Sequence, residues 1–196
     1  MLHKFYPVVP DAGWVKRLAP LGVKTVQLRL KDAPPDEVRR QIADCLEACA
    51  AADCQLIVND YWRDAIDLGA DYIHLGQEDL AAADLAAIKA AKLKLGLSTH
   101  SHEELATALA AEPDYVALGP IYETKLKKMK WAPQGLDRLG DWKSRIACPL
   151  VAIGGITVER ARAVLDAGAD SIAVVTDVVM HADPETRVRE WLRAVA

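Results

Sequence analysis

The stretch VNDYWRDAIDLGADYIHLGQEDL, residues 58–80, holds one complete repeat of the chain's organisation and the start of the next. An apolar run closes at Val58 and gives way to Asn59-Asp60, and an amphipathic segment follows over Trp62–Leu68. Gly69-Ala70-Asp71 then interrupts the helical pattern, Tyr72–Leu75 is a second apolar run, and Gly76-Gln77-Glu78-Asp79 leads into another helical segment. Each of the two short apolar runs is thus followed by an acid at its C-terminal end. A short apolar run, a helix and a second apolar run predict two parallel strands joined by a crossover, because parallel neighbours cannot be linked by a tight hairpin.

The same unit extends in both directions. Strands are predicted at Lys4–Val9, Thr25–Leu30, Gln55–Asn59, Tyr72–Leu75, Lys94–Ser98, Tyr115–Leu118, Leu150–Ile153 and Ser171–Val175. Helical patterns lie at Trp14–Pro20, Asp36–Ala51, Trp62–Leu68, Leu80–Ala91, His102–Ala111, Leu136–Ile146, Val158–Ala167 and Pro184–Val195. The echoes LGADYIHLG, EPDYVALGP and AGADSIAVV each put an acid just before a strand. Eight units in 196 residues leave room only for short loops. The predicted fold is α/β, a single compact (β/α)8 TIM barrel spanning residues 1–196 as one domain. An open doubly wound sheet is the alternative, but no GxGxxG fingerprint or topological switch marks it.

Composition narrows the classes of function. The chain is 52% hydrophobic and 27% charged with a net charge of −4, so no basic field calls for nucleic acid or an anionic membrane. No apolar signal core opens the sequence and no uninterrupted apolar span is long enough to cross a bilayer. Cys45, Cys49, Cys54 and Cys148 form no CxxC pair and read as reduced, partly buried thiols, which fits the cytoplasm.

Barrel chemistry sits at the C-terminal ends of the strands. The second strand delivers Gln27, Arg29 and Lys31 at i, i+2, i+4, on one face, where an amide, a guanidinium and an ammonium together suit an anion such as phosphate. The third and fourth deliver Asn59, Asp60 and Asp79. Parallel neighbours stand about 4.8 Å apart, so these acids can converge and share a hard divalent cation, although Asp79 also sits where a helix cap would. The fifth strand ends in Ser98-Thr99-His100, offering a hydroxyl or an imidazole, whereas His3, His74, His102 and His181 show no partner pattern and read as structural or surface groups. The basic connection GPIYETKLKKMKWAPQG reads as a lid carrying Lys127 over a phosphate. Gly154-Gly155-Ile156-Thr157 and Val175-Thr176-Asp177 end the last two strands, where many barrels hold a phosphate on backbone amides.

Together VQLRLKD, VNDYWRDAIDLGADYIHLGQEDL, LGLSTHS, YVALGPIYETKLKK and VAIGGIT resemble the thiamine-phosphate synthase family in order and along nearly the whole chain. The resemblance implies a transferase of thiamine biosynthesis that uses Mg²⁺. It joins 4-amino-5-hydroxymethyl-2-methylpyrimidine diphosphate to 4-methyl-5-(2-hydroxyethyl)thiazole phosphate and releases diphosphate. Carried over by position, pyrimidine-diphosphate contacts fall on Gln27, Leu28, Arg29, Leu30, Lys31, Asn59, Ser98 and Lys127. Of these, Arg29, Lys31, Ser98 and Lys127 are implied in the chemical step, with Asp60 and Asp79 as Mg²⁺ ligands. Thiazole-phosphate contacts fall on Thr124, Lys125, Leu126, Gly155, Val175 and Thr176. The implied partners are these small molecules, with no nucleic acid and no membrane, and assembly into a homo-oligomer is left open.

Two positions depart from the family pattern: Leu126 stands where a second lid threonine is usual, and Asp177 puts an acid where a small residue is usual, beside an expected dianion. The related thiazole tautomerase is the nearest alternative, but it lacks the metal acids and has a histidine where this chain has Pro120. A non-catalytic phosphate-binding regulator of the same fold is a further alternative, and it would not require both anion-binding ends.

Overall fold

Strands and helices alternate along the computed structural model, which describes residues 2–124 and 131–196. The strands are β1 (Phe5–Val9), β2 (Thr25–Leu28), β3 (Gln55–Asn59), β4 (Tyr72–Leu75), β5 (Lys94–Thr99), β6 (Tyr115–Leu118), β7 (Leu150–Ile153) and β8 (Ser171–Val174). They pair in parallel in chain order, and β8 returns to β1 through Phe5↔Ile172 and Tyr6↔Ala173, closing an eight-stranded barrel. Closure leaves neither outer strand with an unpaired edge.

The strand period of two sorts side chains into two cores. Tyr6, Val8, Ile57, Tyr72, Tyr115, Ala117, Val151 and Ala173 fill the barrel interior. Their neighbours in sequence, among them Val9, Val58, Ile73 and Val116, point outward into a larger apolar layer under the helices. Helix Pro35–Ala51 shows why the helices lie down on that layer: Val38, Ile42, Cys45 and Cys49 recur on one face and are buried. All four cysteines are free thiols, and Cys45 and Cys49 are buried.

The Gly-Ala-Asp echoes have a local cause. Gly69 and Gly168 take left-handed φ values of 75° and 112°, stopping their helices, and the following alanine N–H bonds back to the carbonyl of Ala65 or Val164. The acid just before a strand can tie one strand start to the next. Asp114 accepts the Leu95 N–H at 2.8 Å, and Asp170 accepts the Leu150 N–H at 2.7 Å.

Besides shifts of one or two residues at other element ends, three features differ from expectation. β2 ends at Leu28 rather than Leu30, so Arg29 and Lys31 lie past the strand, although the Arg29 N–H still reaches the Val9 carbonyl at 2.8 Å. The helix expected over Leu80–Ala91 is two helices, Gln77–Ala82 and Leu85–Ala90. The chain turns extended at Ala83, and Asp84 caps the second helix by accepting the Ala87 N–H. A short helix over Thr176–Val179 follows β8 where none was expected.

Candidate active site

At the C-terminal mouth of the barrel, Gln27 is buried inside β2 while Arg29 and Lys31 are exposed at the rim. The three therefore do not form one buried strand face. The amide is fixed in the interior and the two cations stand in solvent, where they carry no desolvation cost until an anion arrives. Leu28 and Leu30 are buried and take their side chains into the apolar layer.

Asn59 ends β3, is 5% exposed and sits opposite His74 in the β3–β4 register. The next residue, Asp60, has φ of 68°, a left-handed conformation in which its N–H donates to the His74 carbonyl at 2.9 Å. That turn aims the Asp60 carboxyl at Asp79. Burial first and the Asp79 charge second raise the Asp60 pKa, and the Arg29 charge and a hydrogen bond from Asn59 oppose them. Asp79 does not cap its helix. Gly76 is the cap residue with no side-chain cap bond, and a Cβ on Gly76 would come within 3.3 Å of the Asp79 Oδ2.

Two carboxylates in contact, one of them held above its ordinary proton affinity, form a hard oxygen pair that a divalent cation would relieve. No group of three or more His, Cys, Asp and Glu side chains gathers at one point among the described residues. Mg²⁺ fits such a sparse donor set, because it takes one or two protein carboxylates and leaves its other positions to water and substrate oxygens.

Beneath this rim runs a polar chain that the sequence does not reveal. Ser98 Oγ lies 2.8 Å from His74 Nε2, and His74 Nδ1 lies 2.8 Å from the Tyr115 hydroxyl. Tyr115 in turn is hydrogen-bonded to Tyr6 and Gln27. Burial, and secondarily the Arg29 charge, push the His74 pKa down to about 4, so the imidazole is neutral and joins the chain as one donor and one acceptor. His74 is thus no surface histidine: it fixes Ser98 from below. The alternation in Tyr72-Ile73-His74-Leu75 was the available signal, since Tyr72 and His74 share a face. Gln77 fixes Ser98 from the side, its Nε2 donating to the Ser98 carbonyl at 2.6 Å.

The other two polar groups of β5 and its end turn away. Thr99 donates its hydroxyl to the Ala117 carbonyl on β6 and accepts from Trp142 Nε1, and the second bond ties the strand to helix Asp137–Arg145. His100 pairs with Glu104 at 2.8 Å and stacks on Trp131.

Across the mouth, Thr124, Gly154, Gly155, Ile156, Val175 and Thr176 line a cavity of about 40 Å³. Gly155 has φ of 66°, and a Cβ there would fall 2.4 Å from the Glu123 carbonyl oxygen, so only glycine lets the two loops pack this closely. Thr157 is extended just before the turn Val158–Arg160. Asp177 does not face the cavity as an unpaired acid, because its carboxylate is bound bidentately by Arg187. Lys125, Leu126 and Lys127, and with them the central lysine-rich part of the expected lid, lie outside the described residues. Of the described flanks, the Tyr122 N–H donates to the Gly154 carbonyl in the loop after β7, and the Gln134 N–H donates to the Pro120 carbonyl at the other end of the same connection.

The family model described as thiamine monophosphate synthase matches residues 6–178, nearly the whole barrel. The chain belongs to this family. It is 65% identical over 196 residues to the thiamine-phosphate synthase of Rhizobium etli, covering 100% of this chain and 96% of that one. It is 52% identical to the thiamine-phosphate synthase of Neisseria meningitidis serogroup A, over 96% of this chain and 92% of the relative. Among solved structures, a thiamine phosphate pyrophosphorylase from Pyrococcus furiosus superposes with a TM-score of 0.87 at 29% identity, over 98% of this chain and 95% of that one. Membership accounts for the ordered fragments of the sequence. No helix among the described residues is long and apolar enough to cross a membrane.

Proposed function

We propose that the chain is a Mg²⁺-dependent thiamine-phosphate synthase of the cytoplasm. It would condense 4-amino-5-hydroxymethyl-2-methylpyrimidine diphosphate with 4-methyl-5-(2-hydroxyethyl)thiazole phosphate to thiamine phosphate and diphosphate. The observation that supports the reading is a mouth with two distinct ends. The Asp60–Asp79 pair, suited to a cation, stands beside Arg29 at one, and the glycine-lined cavity at Gly155 forms the other.

At the first end, Gln27, Asn59 and Ser98 would orient the pyrimidine, and Arg29, Lys31 and Lys127 would pair with the diphosphate. Asp60 and Asp79 would hold Mg²⁺, which when bound adds positive charge to the departing diphosphate. At the second end, Thr124, Lys125, Leu126, Gly155, Val175 and Thr176 would hold the thiazole phosphate with its ring nitrogen towards the pyrimidine methylene. The C–O bond breaks with its electron pair leaving on diphosphate, and the nitrogen lone pair forms the new C–N bond. No side-chain nucleophile is required. Holding two reactants in line is itself worth roughly 7–11 kcal/mol in well-oriented cases.

The test is direct. Purified protein given both substrates and Mg²⁺ is expected to yield thiamine phosphate and diphosphate in equal amounts. Absence of product, or isomerisation of the thiazole alone, overturns the reading.

A further inference from the structure

Behind the cavity at Gly155, an ion cluster centred on a nearly buried pair, Asp177 and Arg187, joins the two loops that form it. Asp177 directly follows the cavity residue Thr176, and its side chain is 9% exposed. Its Oδ2 accepts from Arg187 Nε at 2.9 Å, from Trp191 Nε1 at 2.8 Å and from the Val158 N–H at 3.2 Å, while its Oδ1 accepts from Arg187 Nη2 at 2.9 Å. Arg187, 11% exposed, also donates to both oxygens of Glu159 and to Glu190. Val158 and Glu159 belong to the turn after β7, Asp177 to the short helix Thr176–Val179 after β8, and Arg187 and Trp191 to the last helix, Pro184–Ala194. One guanidinium and one carboxylate thus tie together the two turns that bring Gly155 and Thr176 to the same cavity.

We infer that Asp177 and Arg187 are a positioning pair for the phosphate monoester bound at this cavity. The pair sets the spacing of the two loops, and Arg187 holds the Asp177 carboxylate away from the ligand's negative charge. Neither residue touches the ligand. The inference rests on the reading of this cavity as the thiazole-phosphate end. It makes the acid beside the cavity compatible with a dianion, because the charge is committed to four donors and turned towards the last helix.

Charge release separates this role from simple structural support. Arg187→Met frees a carboxylate next to the cavity, and the KM for the thiazole phosphate is expected to rise about tenfold or more, with the KM for the pyrimidine diphosphate within about twofold. Asp177→Asn keeps Arg187 paired with both glutamates and is expected to raise the same KM only about threefold. The double variant Arg187→Met/Asp177→Asn is expected to return close to the level of Asp177→Asn alone, since the nearly buried freed charge is gone and the charges left on Glu159 and Glu190, 67% and 40% exposed, are screened by solvent.

A purely structural role predicts the reverse, because the double variant loses more bonds than either single one. A double variant no better than Arg187→Met, or parallel rises in both KM values, overturns the inference. If Arg187→Met does not fold, an unchanged thiazole-phosphate KM in Asp177→Asn does the same. The same proteins titrated with inorganic phosphate, read from the Gly155 and Thr176 amide resonances, give the ranking without turnover. Loss of the proposed reaction in the parent protein is thereby distinguished from loss of this positioning.

Discussion

Tyr115 occupies the space that a side chain at position 96 would need. The two are direct partners across the β5–β6 ladder, and a Cβ on Gly96 would fall 1.9 Å from the Tyr115 ring. The ring is fully buried, and its hydroxyl is the link between Tyr6, Gln27 and His74. Gly96→Ala is therefore expected to destabilise the barrel by about 3 kcal/mol or more, because neither a rigid ring nor a strand backbone gives way cheaply. Urea unfolding checks this, and an unchanged midpoint would show that the interior has slack.

Neutral, buried His74 makes stability depend on acidity. Its pKa is about 4 in the folded chain against an ordinary 6.5, so below pH 6.5 the unfolded chain takes up a proton that the folded chain refuses. The stabilisation is complete above pH 6.5 and declines as the pH falls towards 4, by about 3 kcal/mol across that window. His74→Gln is expected to lose this part of the acid sensitivity. Denaturant midpoints for both proteins at pH 7.5, 6 and 5 are the measurement, and parallel curves would refute the assignment.

The carboxylate pair is expected to act as a unit. Asp60→Asn or Asp79→Asn should raise the Mg²⁺ concentration for half-maximal turnover by about tenfold or more, with the thermal midpoint little changed, since neither carboxyl lies in the apolar core. Full activity at low Mg²⁺ in either variant would mean that the two acids share no cation.

The two ends of the mouth should separate kinetically. Arg29→Ala is expected to raise the KM for the pyrimidine diphosphate by about tenfold or more and to leave the thiazole phosphate nearly unaffected. Gly155→Val should do the opposite, since a Cβ there meets the Glu123 carbonyl and pushes the loops apart. Steady-state kinetics with each substrate varied in turn would expose a single mixed site if both variants affected both substrates equally.

The barrel was legible because strands buried on both faces are short apolar runs, and the turns between units carry glycines with a conformational task, as at Gly69 and Gly168. The end of β2 was not legible. Arg29 leaves the strand while its N–H still bonds to Val9, and no local pattern distinguishes that from one more strand residue. The break before Asp84 had a signal, an N-cap residue inside an alanine-rich run, which the length of the helical pattern obscured. Pairing of Asp60 with Asp79 could be read from two adjacent strand ends. The partners of His74 could not, because Ser98 and Tyr115 lie 24 and 41 residues further on. Asp177 looked hostile to a phosphate in isolation, and its counter-charge lies ten residues away on the last helix.

Closure of β8 onto β1 also sets an order of events during synthesis. The ends of β2 to β5, which carry the acids and Ser98, can pair as soon as they emerge, since each strand's partner is the one made just before it. The cavity at Gly155 has no such freedom. Its β8 wall pairs with Phe5–Pro7 at the far end of the sequence, and the cluster behind it waits for Arg187 and Trp191. Until β8 emerges and pairs, β1 and the newest strand each present an open edge, the condition under which nascent sheets associate with the wrong neighbour. A chain cut short before Arg187 would thus lose the buried partner of Asp177 together with part of the cover over β1, where Trp191 stacks on Phe5.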